Sequence, residues 1–312
     1  MKTNIEKLPK STIKLTITIE NGKVKEAYDK TITQAVQETE IEGFRKGTAP
    51  KEMVKDKIGV STLYGDALND LLQTYYPQAL KENHISPVSN PKVEVKEFNL
   101  EKDLEFSATF AVRPEIKMKD YKKALKAYYE EKKQKAEKEE EENKKDTKKT
   151  DEKSKEDKKE EKKEEHEKHV HLGANEIIEV LLKESEVEIA DILKEEETDR
   201  MLARLMDQLK SINLPVEKYL SAQNKTAEGL RKDYDASSEK NIKAEFVLSH
   251  LINEEKIEVT DKEIDDMIGA IGDKALGEKM NSPMERLYIK TVLQKNKLIQ
   301  KLIEETEGVK HE

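Results

Sequence analysis

From Glu130 to His169 the chain carries one residue of the hydrophobic set, Ala136, in a run otherwise built almost wholly of lysine, glutamate and aspartate. A segment without apolar side chains buries too little surface to offset the entropy of ordering its backbone, so no core forms there. Its earlier part can form a solvated helix laced by glutamate and lysine pairs four residues apart, or it can stay unordered where Asp, Thr and Ser enter between Asp146 and Asp157. Either way it acts as a spacer, and the folded parts must flank it. Charged residues make up 40% and the hydrophobic set 35% of the 312 residues, enough for two or three domains with part of the chain left without a core.

Before the spacer, Ile13, Leu15, Ile17 and Ile19 alternate with Thr12, Lys14, Thr16 and Thr18, a strand with one buried face. Asn21-Gly22 turns the chain into a helical pattern from about Val24 to Thr39; a short helix is expected from Pro50 to Ile58, and a long one follows Gly65. Two more alternating segments carry Val93 and Val95, then Leu104, Phe106, Ala108, Phe110 and Val112. Helices bracketed by antiparallel strands predict an α+β domain over residues 1–117. Residues 118–171 are the charged linker or solvated helix, and residues 172–312 an all-α domain. In that last part Ile177 to Leu182 form an apolar cluster, and a long helix runs from Val187 to Ile212 until Leu214-Pro215 breaks it. Thr260 with Glu263 fits a capping box ahead of another helix.

Between the first two helical patterns lies Gly43-Phe44-Arg45-Lys46-Gly47-Thr48-Ala49-Pro50, which sets a ring and two cations side by side between glycines that permit a tight exposed turn. Arginine offers a planar fork for phosphate or carboxylate, lysine a mobile charge, and phenylalanine an apolar or stacking contact. Pro50 suits the first turn of the following helix. The plainer alternative is that Phe44 folds into the core and the cations are ordinary surface.

The spacing Gly-Phe-Arg-x-Gly-x-x-Pro resembles the ribosome-docking signature of trigger factor, the bacterial chaperone at the polypeptide exit. Ile85-Ser86-Pro87-Val88 and Arg113-Pro114-Glu115 in the first part are similar to that family, as are Arg200-Met201-Leu202, Lys225 to Arg231 and Ile257 to Ile264 in the last. The resemblance implies docking on the large ribosomal subunit, on protein and RNA at the tunnel exit, through Gly43, Phe44, Arg45, Lys46, Gly47 and Pro50. It further implies a helical cradle for nascent polypeptides, no ATP or other cofactor, and dimerisation off the ribosome. The family normally carries a prolyl isomerase domain of the FK506-binding kind where the spacer lies. That β-rich domain needs many glycine turns, and here no glycine occurs between Gly65 and Gly173, so the domain is expected to be absent. The alternatives are a peptidyl-prolyl isomerase, as the full family architecture implies, and an assembly scaffold for folded clients.

Charge supports a local contact. Lys and Arg against Asp and Glu number 18 and 18 over residues 1–117, 19 and 18 over 118–171, and 21 and 31 over 172–312, so the net charge of −9 lies in the last part. A globally basic DNA or RNA binder is excluded, and an RNA-rich surface would repel the acidic part. The absence of cysteine removes disulfides, thiolate metal sites and cysteine nucleophiles. No signal-like or membrane-length apolar run is present, which leads to an expected cytoplasmic location without membrane contact. Carboxylate pairs are inevitable among 67 acidic residues, so no catalytic residue is assigned. His166, His169 and His171 fit no zinc pattern and are read as solvated. Among the methionines, Met206 and Met267 are expected to fill a helical core, whereas Met280 and Met284, beside Ser282-Pro283, are expected to be exposed and to bind varied apolar clients.

Overall fold

The structure, a computed structural model, describes residues 1–147, 170–270, 277 and 279–308. Contacts group the chain into two units that interleave along the sequence: Met1–Glu115 with Glu188–Glu239, and Ile116–Val187 with Lys240–Glu312.

In the first unit, strands β1 (Lys2–Leu8), β2 (Thr12–Ile19), β3 (Lys92–Val95) and β4 (Leu104–Ala111) form an antiparallel sheet in the order β1-β2-β4-β3. Alternation sets the register: Ile13, Leu15, Ile17 and Ile19 lie opposite Phe110, Ala108, Phe106 and Leu104, and all eight side chains are buried on one face. Helices α1 (Asn21–Glu38), α2 (Lys51–Ile58) and α3 (Val60–Glu82) accompany this sheet, and Val24, Leu71 and Ala79 complete its core. A smaller cluster of Tyr28, Ile32, Leu63 and Ala67 joins α1 to α3. Asn21-Gly22 forms the first turn of α1 instead of a separate turn, and the Asn21 N–H donates to Asp103 at 2.9 Å. A neighbouring carboxylate thus satisfies a helix-end donor that the chain's own N-cap residue, Glu20, leaves free.

The rest of that unit comes from far along the chain. Helix α6 (Asp191–Ser211) begins beside β4, where Ala190 and Ile192 bury against Ala111 and Asp191 pairs with Lys10 at 2.8 Å. Helix α7 (Val216–Ala222) and the first half of α8 (Ala227–Glu254) follow; Leu205, Leu209 and Leu230 share a small core with Leu214 and Leu220. Between α6 and α8 the buried Thr198 hydroxyl donates to Asp235 at 2.8 Å and lies 3.1 Å from Ser238.

The second unit is built from α4 (Tyr121–Thr147), α5 (Ala174–Lys183), the later half of α8, α9 (Asp261–Gly269) and α10 (Pro283–Glu307), with a two-residue ladder of β5 (Lys117–Met118) and β6 (Ser185–Glu186). Its core joins Tyr121, Leu125 and Tyr129 of α4 to Ile177 and Leu181 of α5, Val247 and Leu251 of α8, and Leu298 and Leu302 of α10. Thr260 caps α9 through the expected box with Glu263.

These boundaries differ from the expected divisions 1–117, 118–171 and 172–312. The start of the nominal spacer is core, because Tyr121, Leu125 and Tyr129 recur every four residues on one helical face. The helix continues as far as Thr147, and residues 148–169 lie outside the described part. Residues 188–239 leave the helical unit because the apolar start of α6 matches the end of β4.

Candidate functional site

The chain from Thr39 to Pro50 connects α1 to α2 through two successive turns. The Phe44 N–H donates to the Ile41 carbonyl at 3.0 Å, and the Thr48 N–H donates to the Arg45 carbonyl, also at 3.0 Å. Gly43 and Gly47 occupy the third position of these turns with φ of +87° each, the conformation that a type II turn demands and that glycine adopts without steric cost. The Thr48 hydroxyl adds a second bond to the Arg45 carbonyl at 2.7 Å. Both loop ends are held. The Lys57 ammonium of α2 donates to the Glu40 carbonyl at the entry, and Ala49 is buried at the exit. Pro50 is the N-cap of α2, with ψ of 139°, one residue earlier than the expected helical position.

Turns and anchors hold the middle of the loop in solvent. Phe44 is 41% exposed, so the ring does not fold into the core. Arg45 and Lys46 are exposed, and neither has a carboxylate partner among the described residues. The loop therefore presents one ring and two unneutralised cations on a backbone fixed by its own hydrogen bonds, with part of the ordering entropy of a contact already met.

A second surface lies at the start of α10. Ser282 caps this helix by accepting from the Glu285 N–H at 3.3 Å, and Pro283 sits in its first turn. Arg286 turns toward α9 and bonds Asp265 at 2.6 Å, while Ile289 buries against Val259 and Ile264. The opposite face shows Met284, Leu287 and Tyr288 at 81%, 65% and 64% exposure, in positions i, i+3 and i+4.

The expected methionine roles are partly exchanged. Met284 is exposed as anticipated, but Met280 packs against the Val259, Ile264 and Ile289 cluster. Met267 and Met206, expected in the core, are 40% and 49% exposed. In α6 apolar residues lie on more than one side of the helix, so spacing alone does not tell its inner face from its outer, whereas Met267 shares one stripe with Ile264 and Ile268 of α9 and is exposed at its edge. Leu287 and Tyr288 were not singled out by sequence, although their spacing from Met284 is a readable signal. Of the three clustered histidines, His166 and His169 lie outside the described residues; the His171 ring lies 3.1 Å from Glu307. Among the described residues no helix is long and apolar enough to cross a membrane.

The fold is an α+β unit and a helical unit, each with an exposed apolar surface, at Phe44 in the first and at Met284 in the second. The chain belongs to the trigger factor family: residues 1–150 match bacterial trigger factor protein, and residues 148–306 match the bacterial trigger factor C-terminus. The matches adjoin at residues 148–150, so no stretch remains between them for an isomerase domain. Relatives include the trigger factors of Brevibacillus brevis, 42% identical over 122 residues (39% of this chain and 28% of that protein), and Staphylococcus carnosus, 40% identical over 108 residues (35% and 24%). That of Clostridium tetani is 36% identical over 134 residues (42% and 31%). The chain thus aligns with less than a third of the length of each of these relatives. A solved structure from work on promiscuous substrate recognition in the folding and assembly activities of the trigger factor chaperone matches with a TM-score of 0.62. That match covers 98% of this chain and 100% of the other at 15% identity, which supports the fold.

Proposed function

We propose that this chain is an ATP-independent cytoplasmic chaperone that docks at the exit of the ribosomal tunnel and holds nascent or unfolded polypeptides. The observation that carries the reading is the exposed Phe44-Arg45-Lys46 tip, held out between two glycine turns. Phe44 supplies the apolar contact, Arg45 the fork and Lys46 the mobile charge toward the large subunit; Gly43, Gly47 and Pro50 shape the loop. The α+β part docks and the helical part receives clients, with Met284 and its exposed neighbours as a client surface and Met280 supporting it from beneath. Loose apolar contacts of this kind release without ATP. Replacing residues 44–46 with alanine and centrifuging the protein with ribosomes tests the docking role. Lost co-sedimentation is expected, and undiminished co-sedimentation contradicts it.

Two exposed apolar positions in the first unit, Met206 and Ile212 at 49% and 67%, also fit a scaffold for folded assembly clients. Identifying bound clients as nascent or released chains separates this reading from nascent-chain holding. Catalysis of a proline-limited refolding reaction at substoichiometric protein would instead favour an isomerase.

A further inference from the structure

In the sheet unit, residues 188–239 lie with residues 1–115, although the chain reaches them only by way of residues 116–187, which belong to the other unit. The buried contact between the two segments is small. Among the described residues one buried apolar cluster joins them, Ala111 with Ala190, Ile192 and Leu193, whereas the larger clusters of this unit each stay within one segment. The rest of the contact is polar, and its carboxylates all come from the first two turns of α6. Both oxygens of Asp191 accept from Lys10, at 2.8 and 2.9 Å; Glu195 accepts from Lys92, and Glu196 accepts from the Asn90 N–H at 3.0 Å.

The partners of these carboxylates converge at one end of the sheet. Lys10 and Ser11 form the turn between β1 and β2, with left-handed φ of +57° and +52°, and the Ser11 carbonyl accepts from the Val112 N–H just past β4. The Ser89 hydroxyl, next to Asn90, accepts from the Ala111 N–H at 2.9 Å. These cross-ties fix the receiving surface independently of α6. The ion pairs stay open to solvent: side-chain exposure is 47% and 60% for Lys10 and Asp191, and 60% and 52% for Lys92 and Glu195. Such pairs contribute little each and are screened by salt, so a contact that leans on them is easily opened.

We propose that this contact is an electrostatic latch: the acidic start of α6 is held on the cationic end of the sheet, and α6, α7 and the first half of α8 swing free of the sheet as ionic strength rises. The sheet core and the small core of Leu205, Leu209 and Leu230 each keep their own packing when the latch opens. Closed, the loop-bearing sheet and the exposed Met206 and Ile212 side chains move as one body; open, they move separately.

The chain has no cysteine, so two introduced at exposed positions, Glu6→Cys and Asp207→Cys, carry a pair of spin labels. Distances between the labels are measured in the full chain at low salt and in about 1 M sodium chloride, where the screening length falls to about 3 Å. One narrow distribution is expected at low salt. In high salt the ratio of long, broad distances to the narrow one should rise about fivefold, and Lys10→Ala with Lys92→Ala should show the same rise at low salt. Exchanging the charges of one pair, Lys92→Glu with Glu195→Lys, should restore the narrow distribution that Lys92→Glu alone loses. A distribution that stays narrow in high salt overturns the latch, and so does one already broad at low salt in the chain altered only by the labels. Failure of the exchanged pair to restore the narrow distance in a chain that circular dichroism shows to be folded overturns it as well.

Discussion

The loop at Phe44 and the helix face at Met284 both expose apolar side chains, but they are held differently. Phe44 is 41% exposed on a backbone closed by two hydrogen-bonded turns and flanked by Arg45 and Lys46. Met284, Leu287 and Tyr288 project from a regular helix at 64% exposure or more, and Arg286 of the same helix is engaged with Asp265 and Asp261. A fixed ring beside two unneutralised cations is suited to selecting a partner by geometry. An apolar stripe that includes a methionine can accept many sequences, because its contacts impose little direction. On the proposed reading, one chain thus carries a discriminating surface and an undiscriminating one.

The largest effect that separates them is loss of client binding. Replacing Met284, Leu287 and Tyr288 with serine removes most of the exposed stripe, and we expect suppression of aggregation of an unfolded test protein to need roughly tenfold more chaperone. Ribosome binding by the same variant should not change. If both activities fall together, the two surfaces are not independent.

Next comes the different support beneath the surfaces. The sheet unit rests on an apolar core, whereas the helical unit is also tied by Glu255, whose side chain is 15% exposed. Glu255 accepts from Lys122 at 2.7 Å, Lys301 at 2.5 Å and the Tyr121 hydroxyl at 3.0 Å. The lysine hydrogen bonds hold its carboxyl down at about 2, against a smaller opposing effect of desolvation. A carboxyl depressed in the folded state stabilises it above the ordinary carboxylate range and loses that contribution as pH falls toward 2. The helical unit should therefore lose more stability than the sheet unit on acidification. Glu255→Gln should lower its stability at neutral pH by roughly 2 kcal/mol and flatten the acid dependence, as read by thermal melts followed at probes placed in each unit.

The smallest effect tests whether the loop is held in shape. A Cβ at Gly47 meets nothing within 4 Å, so Gly47→Ala strains only the backbone at φ +87°. The cost is about 1 kcal/mol, and ribosome affinity should fall a few-fold with no change in client binding. An unchanged affinity would mean that the turn geometry does not matter to docking.

Sequence patterns showed those parts of the fold in which one residue set has one consistent partner. The alternation in β2 and β4 predicted both strands and their buried faces, and the loop composition predicted an exposed tip. Strand β1 was invisible because it buries almost nothing, having only Ile5 and Leu8 as apolar residues after Met1. The interleaving of the two units was hidden as well. Ala190 and Ile192 are ordinary helix-start residues until β4 brings Ala111 beside them. Likewise Met280 could be placed only by its packing against Val259, Ile264 and Ile289.

Competition between the two surfaces gives the most direct test. Equilibrium binding to purified ribosomes is measured for wild type, for the alanine variant of Phe44, Arg45 and Lys46, and for the serine variant of Met284, Leu287 and Tyr288. The loop variant should lose at least about tenfold in affinity and keep its hold on an unfolded client, while the helix variant keeps its ribosome affinity. Wild-type ribosome affinity in the loop variant, or equal losses in both, would contradict the division of labour between loop and helix.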